Sequence, residues 1–187
     1  MLTLPKPNTK RVFDRLEQLY EIGAADGANR PGYSPEEQEA LDLAAGWMRA
    51  AGLEVEVDPG GNLIGRRAGA RADLPEVWTG SHLDSVPSGG RFDGALGVAG
   101  GLEAVDLALA AGPLERTVGV AVFRAEETGC HGSRARVEHG LLPGTYIELH
   151  VEQGPVLERA GVPLGVVTSI AGIVRAERVF EGGAGHA

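Results

Sequence analysis

Residues 77–101 read VWTGSHLDSVPSGGRFDGALGVAGG, and this stretch decides the fold prediction. An apolar run ends at His82, and a glycine-rich segment that contains Asp84 and Asp93 leads into a helix of small residues. A strand followed by a helix is the repeating unit of α/β folds. Glycines at 94, 97, 100 and 101 leave one face of this helix almost without side chains, which lets the helix lie close to a sheet.

Helices and strands alternate on both sides of this segment. The periodicity predicts a helix over 8–22 and another that begins after Ser34, with Pro35 at its first position and Glu37 closing a capping box. Further strands are predicted at 53–58, 61–67, 116–125, 145–153, 164–170 and 173–182, with a short helix or loop at 131–140. The alternation predicts an α/β sandwich.

The composition is that of a globular protein, since 43% of the 187 residues are hydrophobic, and the length allows one substantial core, or one core and the start of a second domain. The formal net charge of -9, with no Lys/Arg run longer than two, argues against nucleic acid or an anionic membrane as a partner. We find neither an apolar run of membrane length nor a signal peptide. Cys130 is the single cysteine, so no disulfide can form within the chain, which fits a cytoplasmic protein.

Three predicted strands end in residues that can bind a metal ion. The first strand delivers His82, the second delivers Glu126 and Glu127, which follow it directly, and the third delivers His150 through its segment TYIEL at 145–149. Because the carboxyl ends of strands line the ligand crevice in open α/β sheets, we expect these side chains to lie together. Asp93 follows at the start of the glycine-rich helix.

Each of these residues has an ordinary explanation when it is taken alone. A single histidine is more often a hydrogen-bonded interior side chain, and a Glu-Glu pair is more often solvated. Together, two imidazoles and several carboxylates suit zinc, manganese or cobalt, and carboxylates can bridge two such ions. Asp84, two residues after His82, is placed to accept a hydrogen bond that fixes the tautomer of His82. Of Glu126 and Glu127, one would bind metal and the other would take a proton from water.

Other chemistries lack their motifs. The chain has no G-x-S-x-G nucleophile elbow, no phosphate-binding glycine loop and no C-x-x-C pair for thiolate zinc. His131 and His139 lie in a polar, arginine-containing stretch and are predicted to be surface residues, and Cys130 is predicted to be a small filler.

Three segments resemble the dinuclear-metal amidohydrolases of the M20 peptidase superfamily: GSHLDSVPSGGRFDGALGV at 80–98, AEET at 125–128 and ELHVEQGPVLE at 148–158. The most similar branch contains the N-carbamoyl-L-amino-acid hydrolases, allantoate amidohydrolases and β-ureidopropionases, and residues 33–66 resemble it as well. The resemblance implies a three-layer α/β/α sandwich around a mixed sheet, of the zinc-exopeptidase type, over residues 1–171. It implies that residues 172–187 begin a lid and dimerisation domain with its first strand.

The resemblance also implies a site with two divalent ions, zinc or else manganese, cobalt or nickel. His82 and His150 would bind one ion, Glu127 the other, and Asp93 would bridge the two. The histidine at 150 separates this branch from relatives that have a carboxylate there.

The remaining site residues take their roles from the resemblance too. Glu126 would be the general base, Asp84 would orient His82, and Gln153 would lie near the substrate. His186 matches a lid histidine that helps to polarise the scissile carbonyl. The implied reaction is hydrolysis of a C–N bond in a small linear amide or ureide by a metal-activated water, in a protein that forms a homodimer at full length.

Two departures from the family leave alternatives open. Family members continue well beyond residue 187 and supply a further metal-binding histidine, so the chain is expected to be C-terminally truncated, with a ligand missing at the Glu127 ion. Relatives also carry a longer segment between Glu127 and His150. One alternative is an aminopeptidase or deacylase of the same architecture. The other is an inactive fragment that binds metal or a partner protein.

Overall fold

The computed structural model describes residues 5–170, 172, 179, 181 and 182. Contacts within the chain divide it into two compact units, residues 1–151 and 152–187. In the described part, the helices and strands are α1 Thr9–Glu21, α2 Pro35–Ala50, β1 Glu54–Val57, β2 Leu63–Arg67, β3 Val77–His82, α3 Ala95–Ala110, β4 Val118–Phe123, α4 His131–Glu138, β5 Thr145–Ile147 and α5 Val156–Ala160.

The first unit is built on a mixed sheet with the strand order β1-β2-β4-β3-β5. β1 pairs with β2 and β2 pairs with β4 in antiparallel fashion, whereas β3 runs parallel to both β4 and β5. The predicted hairpin between 53–58 and 61–67 is therefore confirmed. The three parallel strands are neighbours, so their carboxyl ends meet at one edge of the sheet.

Helices cover both faces of this sheet, which gives the three layers. The larger core lies between one face and α1, α2 and α3, and it receives Val120 and Val122 from β4. Ala121 points to the opposite face, as strand alternation requires, and joins Ile64 and Trp78 in a smaller cluster. On that face, the guanidinium of Arg136 from α4 lies 4.7 Å from the Trp78 ring. The predicted α/β class with a mixed sheet is confirmed.

The glycine-bearing face of α3 packs directly on the sheet, as predicted. A Cβ added at Gly97 would lie 2.6 Å from the Cβ of Ser81 and 2.7 Å from the carbonyl oxygen of Leu149. A Cβ at Gly101 would lie 3.0 Å from the Thr79 side chain. Small residues are therefore required here for the helix to approach β3 and the segment after β5.

The start of α2 differs in one detail from its prediction. Ser34 is the N-cap and its hydroxyl accepts the N–H of Glu37 at 3.1 Å, as expected. The return bond of a capping box is not formed, because the Glu37 carboxylate accepts the N–H groups of Tyr33 and Ala125 instead. The prediction that Glu37 closes a capping box was therefore wrong.

Two predicted strands differ from the structure: one is shorter than predicted, and the other does not form. The strand predicted at 145–153 is limited to Thr145–Ile147. The strand predicted at 164–170 does not form, although its apolar side chains favour a strand: Val166 is 91% exposed and Val167 is 75% exposed. A strand needs a pairing partner, which strand propensity alone does not supply. Most of the strand predicted at 173–182 lies outside the described residues.

None of the helices in the described residues combines the length and the hydropathy that a bilayer crossing requires.

Candidate metal centre

The carboxyl ends of the three parallel strands deliver the candidate ligands. His82 is the last residue of β3, Glu126 and Glu127 lie in the turn after β4, and His150 follows β5. This edge of an α/β sheet is the usual place for a ligand crevice, since the loops that leave it converge there.

The first group of ligand atoms joins two imidazoles to one carboxylate. The His150 Nε2 atom lies 3.3 Å from Asp93 Oδ1, and the His82 Nε2 atom lies 4.0 Å from the same oxygen. One ligand atom from each of the three residues lies within 4.8 Å of the other two. A single ion could therefore be bound by all three residues.

A second group shares His82 with the first. His82, Glu126 and Glu127 also offer ligand atoms within 4.8 Å of one another, and His82 Nε2 lies 3.9 Å from Glu126 Oε2. The two groups together form a cluster of five side chains around one buried imidazole. Both glutamates offer a ligand atom within 4.8 Å of one on His82. The division of roles between the two glutamates therefore stays a prediction.

The orientation of His82 is determined by Asp84. His82 Nδ1 lies 3.1 Å from the backbone carbonyl oxygen of Asp84, to which it donates a hydrogen bond, and 3.3 Å from the Oδ1 atom of the same residue. Both side chains are buried. With Nδ1 engaged on this side, Nε2 faces Asp93 and Glu126 and is the nitrogen placed to bind a metal.

Asp84 also holds the turn that carries the two glutamates. Its Oδ1 atom accepts the backbone N–H of Glu126 at 3.0 Å, and its Oδ2 atom accepts that of Glu127 at 2.9 Å. One buried carboxylate thus positions residues from two neighbouring strand ends. The sequence pattern predicted only its contact with His82.

The charges of the cluster shift the pKa values of its members. Burial lowers the pKa of His82, but its hydrogen bond to Asp84 and the negative charges of Asp84, Glu126 and Asp93 raise it to about 9. Burial raises the pKa of Glu127, and the nearby carboxylates of Asp93 and Glu126 add to this against the opposing effect of His82. Burial also raises the pKa of Asp84, yet the hydrogen bonds from His82 and from the two glutamate N–H groups bring it below its usual range.

The donor set fits a divalent transition-metal ion. Two imidazole nitrogens with three carboxylates are suited to zinc, manganese, cobalt or nickel and do not resemble an all-oxygen calcium site. A cation bound here would relieve the repulsion between the carboxylates and would compete with the proton for the His82 imidazole.

Tight packing at Gly94 explains one glycine of the loop before α3. Gly94 has φ +62°, and a Cβ there would lie 2.5 Å from the carbonyl oxygen of His82 and 2.6 Å from its ring Cε1 atom. A side chain would displace the imidazole. By contrast, apart from its two chain neighbours, no described residue lies within 4 Å of a Cβ built at Gly90, so crowding does not explain that glycine.

The remaining residues considered in the sequence analysis do not belong to either ligand group. His131 and His139 are exposed, as predicted. Gln153 belongs to the second unit, and its role near a substrate stays a prediction. His186 lies outside the described residues. The thiol of Cys130, predicted to be a filler, donates to Glu126 Oε1 at 3.4 Å, which sequence spacing alone does not indicate.

Comparison with known proteins places this cluster in a family context. A family model described as peptidase family M28 matches residues 62–152, from the end of the β1–β2 turn to just past His150. This designation differs from the M20 resemblance. Longer matches to individual proteins help to choose between these two families. N-carbamoyl-L-amino acid amidohydrolase from Geobacillus stearothermophilus is 39% identical over 222 residues, covering 95% of this chain and 54% of the relative.

Two further proteins agree with that match. Allantoate deiminase 1 from Glycine max is 34% identical, covering 93% of this chain and 46% of the relative. The crystal structure of a hydantoinase/carbamoylase family amidase from Burkholderia ambifaria is 33% identical with a TM-score of 0.71, covering 85% of this chain and 49% of that chain.

The chain spans about half the length of the curated relatives it matches. The alignment with the Geobacillus protein is longer than the 187 residues of this chain, so that relative carries extra residues inside the matched region. The long matches are named as an amidohydrolase, a deiminase and an amidase, and each covers 85% or more of this chain. The chain is similar over most of its length to the N-carbamoyl-L-amino-acid amidohydrolases, and this similarity supports the M20-type amidohydrolase family that its motifs resemble.

Proposed function

We propose that this protein is a metal-dependent hydrolase that cleaves a C–N bond in a small linear amide or ureide. The observation that carries the proposal is the convergence of His82, Asp93 and His150 with ligand atoms within 4.8 Å, at the carboxyl edge of the parallel strands. A second group with Glu126 and Glu127 adjoins it.

The ligand assignment uses both groups. His82 and His150 would hold one divalent ion and Glu127 a second, and Asp93 would be a ligand shared by both. When bound, such ions activate water and polarise the scissile carbonyl. Zinc, manganese, cobalt and nickel all suit these ligands.

The protein's own residues supply the proton transfers and the alignment. Glu126 takes a proton from the attacking water and delivers it to the leaving nitrogen. Asp84 fixes the ring of His82 and the turn of the two glutamates. Gln153 contacts the substrate, and His186 stabilises the negative charge that develops on the carbonyl oxygen.

The substrate class is taken from the printed names of the relatives. These include N-carbamoyl-L-amino-acid amidohydrolases, allantoate deiminases and a ureidoglycolate hydrolase. The compound that each of these enzyme names contains has a linear ureide group. We therefore propose an N-carbamoyl amino acid or a related ureide as the substrate.

A second candidate is an aminopeptidase or deacylase. The match of residues 62–152 to a peptidase family model favours it. The metal cluster suits either reaction, because a peptide bond and a ureide are both cleaved by water attack on a carbonyl carbon. The substrate separates the two candidates.

We further propose the setting of this activity. Residues 1–171 form part of the catalytic domain, and residues 172–187 begin a lid and dimerisation domain. The full-length protein is a cytoplasmic homodimer that needs neither nucleic acid nor a membrane.

A substrate panel tests the proposal. The protein is loaded with zinc or manganese and incubated with N-carbamoyl-L-amino acids, allantoate and ureidoglycolate, and in parallel with N-acetyl amino acids and dipeptides. Release of ammonia or free amine is measured against a Glu126→Gln control. Turnover of ureides alone supports the proposal, and turnover of dipeptides or acetyl compounds alone supports the second candidate. Metal binding without turnover of any compound supports the inactive-fragment alternative.

A further inference from the structure

Three consecutive backbone N–H groups in the turn after β4 donate to buried carboxylates. Those of Glu126 and Glu127 donate to Asp84, and that of Ala125, just before them, donates to Glu37 Oε1 at 2.8 Å. Glu37 and Asp84 are both fully buried. The turn that presents the two glutamates is therefore held by two carboxylates from different parts of the chain.

Ala125 adopts a conformation that an L-amino acid rarely takes. Its φ is +50°, in the left-handed region, and the residue is fully buried. Such a backbone persists only where the surrounding structure enforces it. Because Ala125 immediately precedes Glu126, a change at this residue would redirect both glutamate side chains.

Glu37 supplies this enforcement. Its second oxygen, Oε2, accepts the N–H of Tyr33 at 2.5 Å and lies 3.1 Å from Arg124 Nε. Tyr33 is also left-handed, with φ +66°. One carboxylate at the start of α2 thus bonds two residues in the same rare conformation, one of which leads into the metal cluster.

Close packing leaves the Ala125 turn little room to relax. A Cβ added at Gly32 would lie 2.6 Å from the Cβ of Ala125 and 2.9 Å from its Cα. The loop before α2 therefore lies directly against the turn, and Glu37 holds that loop through Tyr33. Loss of the Glu37 bonds would free both segments together.

We propose that Glu37 is a positioning residue for the metal centre: by holding Ala125 in its left-handed conformation, it directs Glu126 and Glu127 towards His82. This inference rests on the proposed function, in which those glutamates serve the bound metal. Glu37 itself does not touch the metal or the substrate.

The competing explanation is that Glu37 only stabilises the start of α2. Glu103 provides a matched control, since it is also a buried helical carboxylate that accepts a backbone N–H, from Asn8, and pairs with an arginine, Arg11. The partners of Glu103 are Arg11, which lies in α1, and Asn8, which is the N-cap of α1. Glu103→Gln should therefore reduce stability without changing metal binding.

The experiment compares wild type, Glu37→Gln, Glu103→Gln, Ala125→Gly and the Glu37→Gln/Ala125→Gly double variant. Zinc affinity is measured by calorimetry, and the ligand geometry of the Co²⁺-loaded protein by visible absorption. We expect Glu37→Gln to bind zinc at least about 10-fold more weakly, with an altered cobalt spectrum, as for other residues that support metal ligands. Glu103→Gln and Ala125→Gly should bind as wild type does.

The double variant separates positioning from helix stability. Glycine adopts the left-handed conformation without strain, so it should recover much of the zinc affinity and the cobalt spectrum without restoring the melting temperature. If Glu37→Gln does not fold, Glu37→Asp, which keeps the charge but shortens its reach, takes its place in the same comparison.

Three results would each overturn the inference alone: wild-type zinc affinity in a folded Glu37→Gln protein, an equal loss in Glu103→Gln, or no recovery of zinc affinity in the double variant. A wild-type protein that binds neither zinc nor cobalt would overturn the proposed function, and the inference with it.

Discussion

Asp84 Oδ2 accepts the backbone N–H of Glu127 at 2.9 Å, which joins the loop after β3 to the turn after β4. The same carboxylate approaches His82 Nδ1 to 3.3 Å. Residues from two strands thus depend on one buried side chain for their relative position. The fully buried state of Asp84 suits this role, because water does not compete for its hydrogen bonds.

Asp84→Asn should weaken metal binding although Asp84 is not itself a proposed ligand. An amide offers one acceptor oxygen in place of two, so at least one of the glutamate N–H groups loses its partner, and His82 loses a charged neighbour. We expect zinc affinity to fall about 10- to 100-fold, the usual effect of removing a group that supports a metal ligand. Calorimetric titration of the metal-free protein with zinc measures the loss.

The control for this change is Asp73→Asn. Asp73 is an exposed acid that pairs with Arg71, away from the cluster. Asp73→Asn removes one negative charge, as Asp84→Asn does. An equal loss of zinc affinity in both variants would mean that overall charge, rather than the Asp84 hydrogen bonds, governs binding.

Asp93→Ala should remove both metal ions. Asp93 Oδ1 lies between the imidazoles of His150 and His82, at 3.3 and 4.0 Å from their Nε2 atoms, and Asp93 is the proposed bridge. Metal content after dialysis should drop to background, whereas Asp42→Ala, at an exposed acid of α2, should leave it unchanged. Retention of two ions by Asp93→Ala would exclude Asp93 from the site.

Glu126→Gln should separate binding from turnover. A glutamine cannot take a proton from water, so we expect turnover to fall by roughly 100- to 10,000-fold. Metal content should stay nearly unchanged, as long as Glu127 is the ligand. If Glu126→Gln loses metal while Glu127→Gln keeps it, the two roles are reversed. The geometry is compatible with that result, because Glu126 Oε2 lies 3.9 Å from His82 Nε2.

Glu103 should give the protein an acid-sensitive contribution to stability. Burial raises the pKa of Glu103, but the hydrogen bonds from Arg11 and from the Asn8 N–H, with the charges of Arg11 and Arg15, lower it overall. Asp106 is the other acid that pairs with these arginines. Because the folded protein holds the proton more weakly than the unfolded chain, the stabilisation is complete above the unfolded pKa of about 4.3 and is lost as the pH falls through the lower folded value.

Urea unfolding of wild type and Glu103→Gln between pH 3 and 7 tests this prediction. The difference in unfolding free energy should be about 1 to 3 kcal/mol and constant near neutral pH, as for hydrogen bonds to charged groups. It should shrink below about pH 4. A difference that does not depend on pH would show that the ionised Glu103 carboxylate is not what stabilises the contact between α1 and α3.

Much of the fold and cluster could be predicted because it depends on local sequence patterns. The apolar runs that end at His82 and before Glu126 are strands, and the glycines at 97 and 101 do face β3. Since β3, β4 and β5 proved to be parallel neighbours, the expectation that their ends meet follows directly from the sheet order.

The parts that escaped prediction depend on contacts between distant residues. Glu37 follows the capping-box pattern, yet one of its oxygens bonds Ala125, 88 positions along the chain. The left-handed φ of Ala125 has no sequence signal, because alanine rarely adopts it. The apolar residues at 164–170 favour a strand, but a strand also needs a partner, which propensity cannot reveal.

Metal content per chain tests the central claim most directly. Wild type and Asp93→Ala would be incubated with zinc, dialysed extensively, and analysed by mass spectrometry for bound metal. The account predicts at least one ion retained per wild-type chain, approaching two when excess zinc is kept in the dialysis buffer, and background levels for Asp93→Ala. A wild-type chain that retains no more zinc than Asp93→Ala would contradict it.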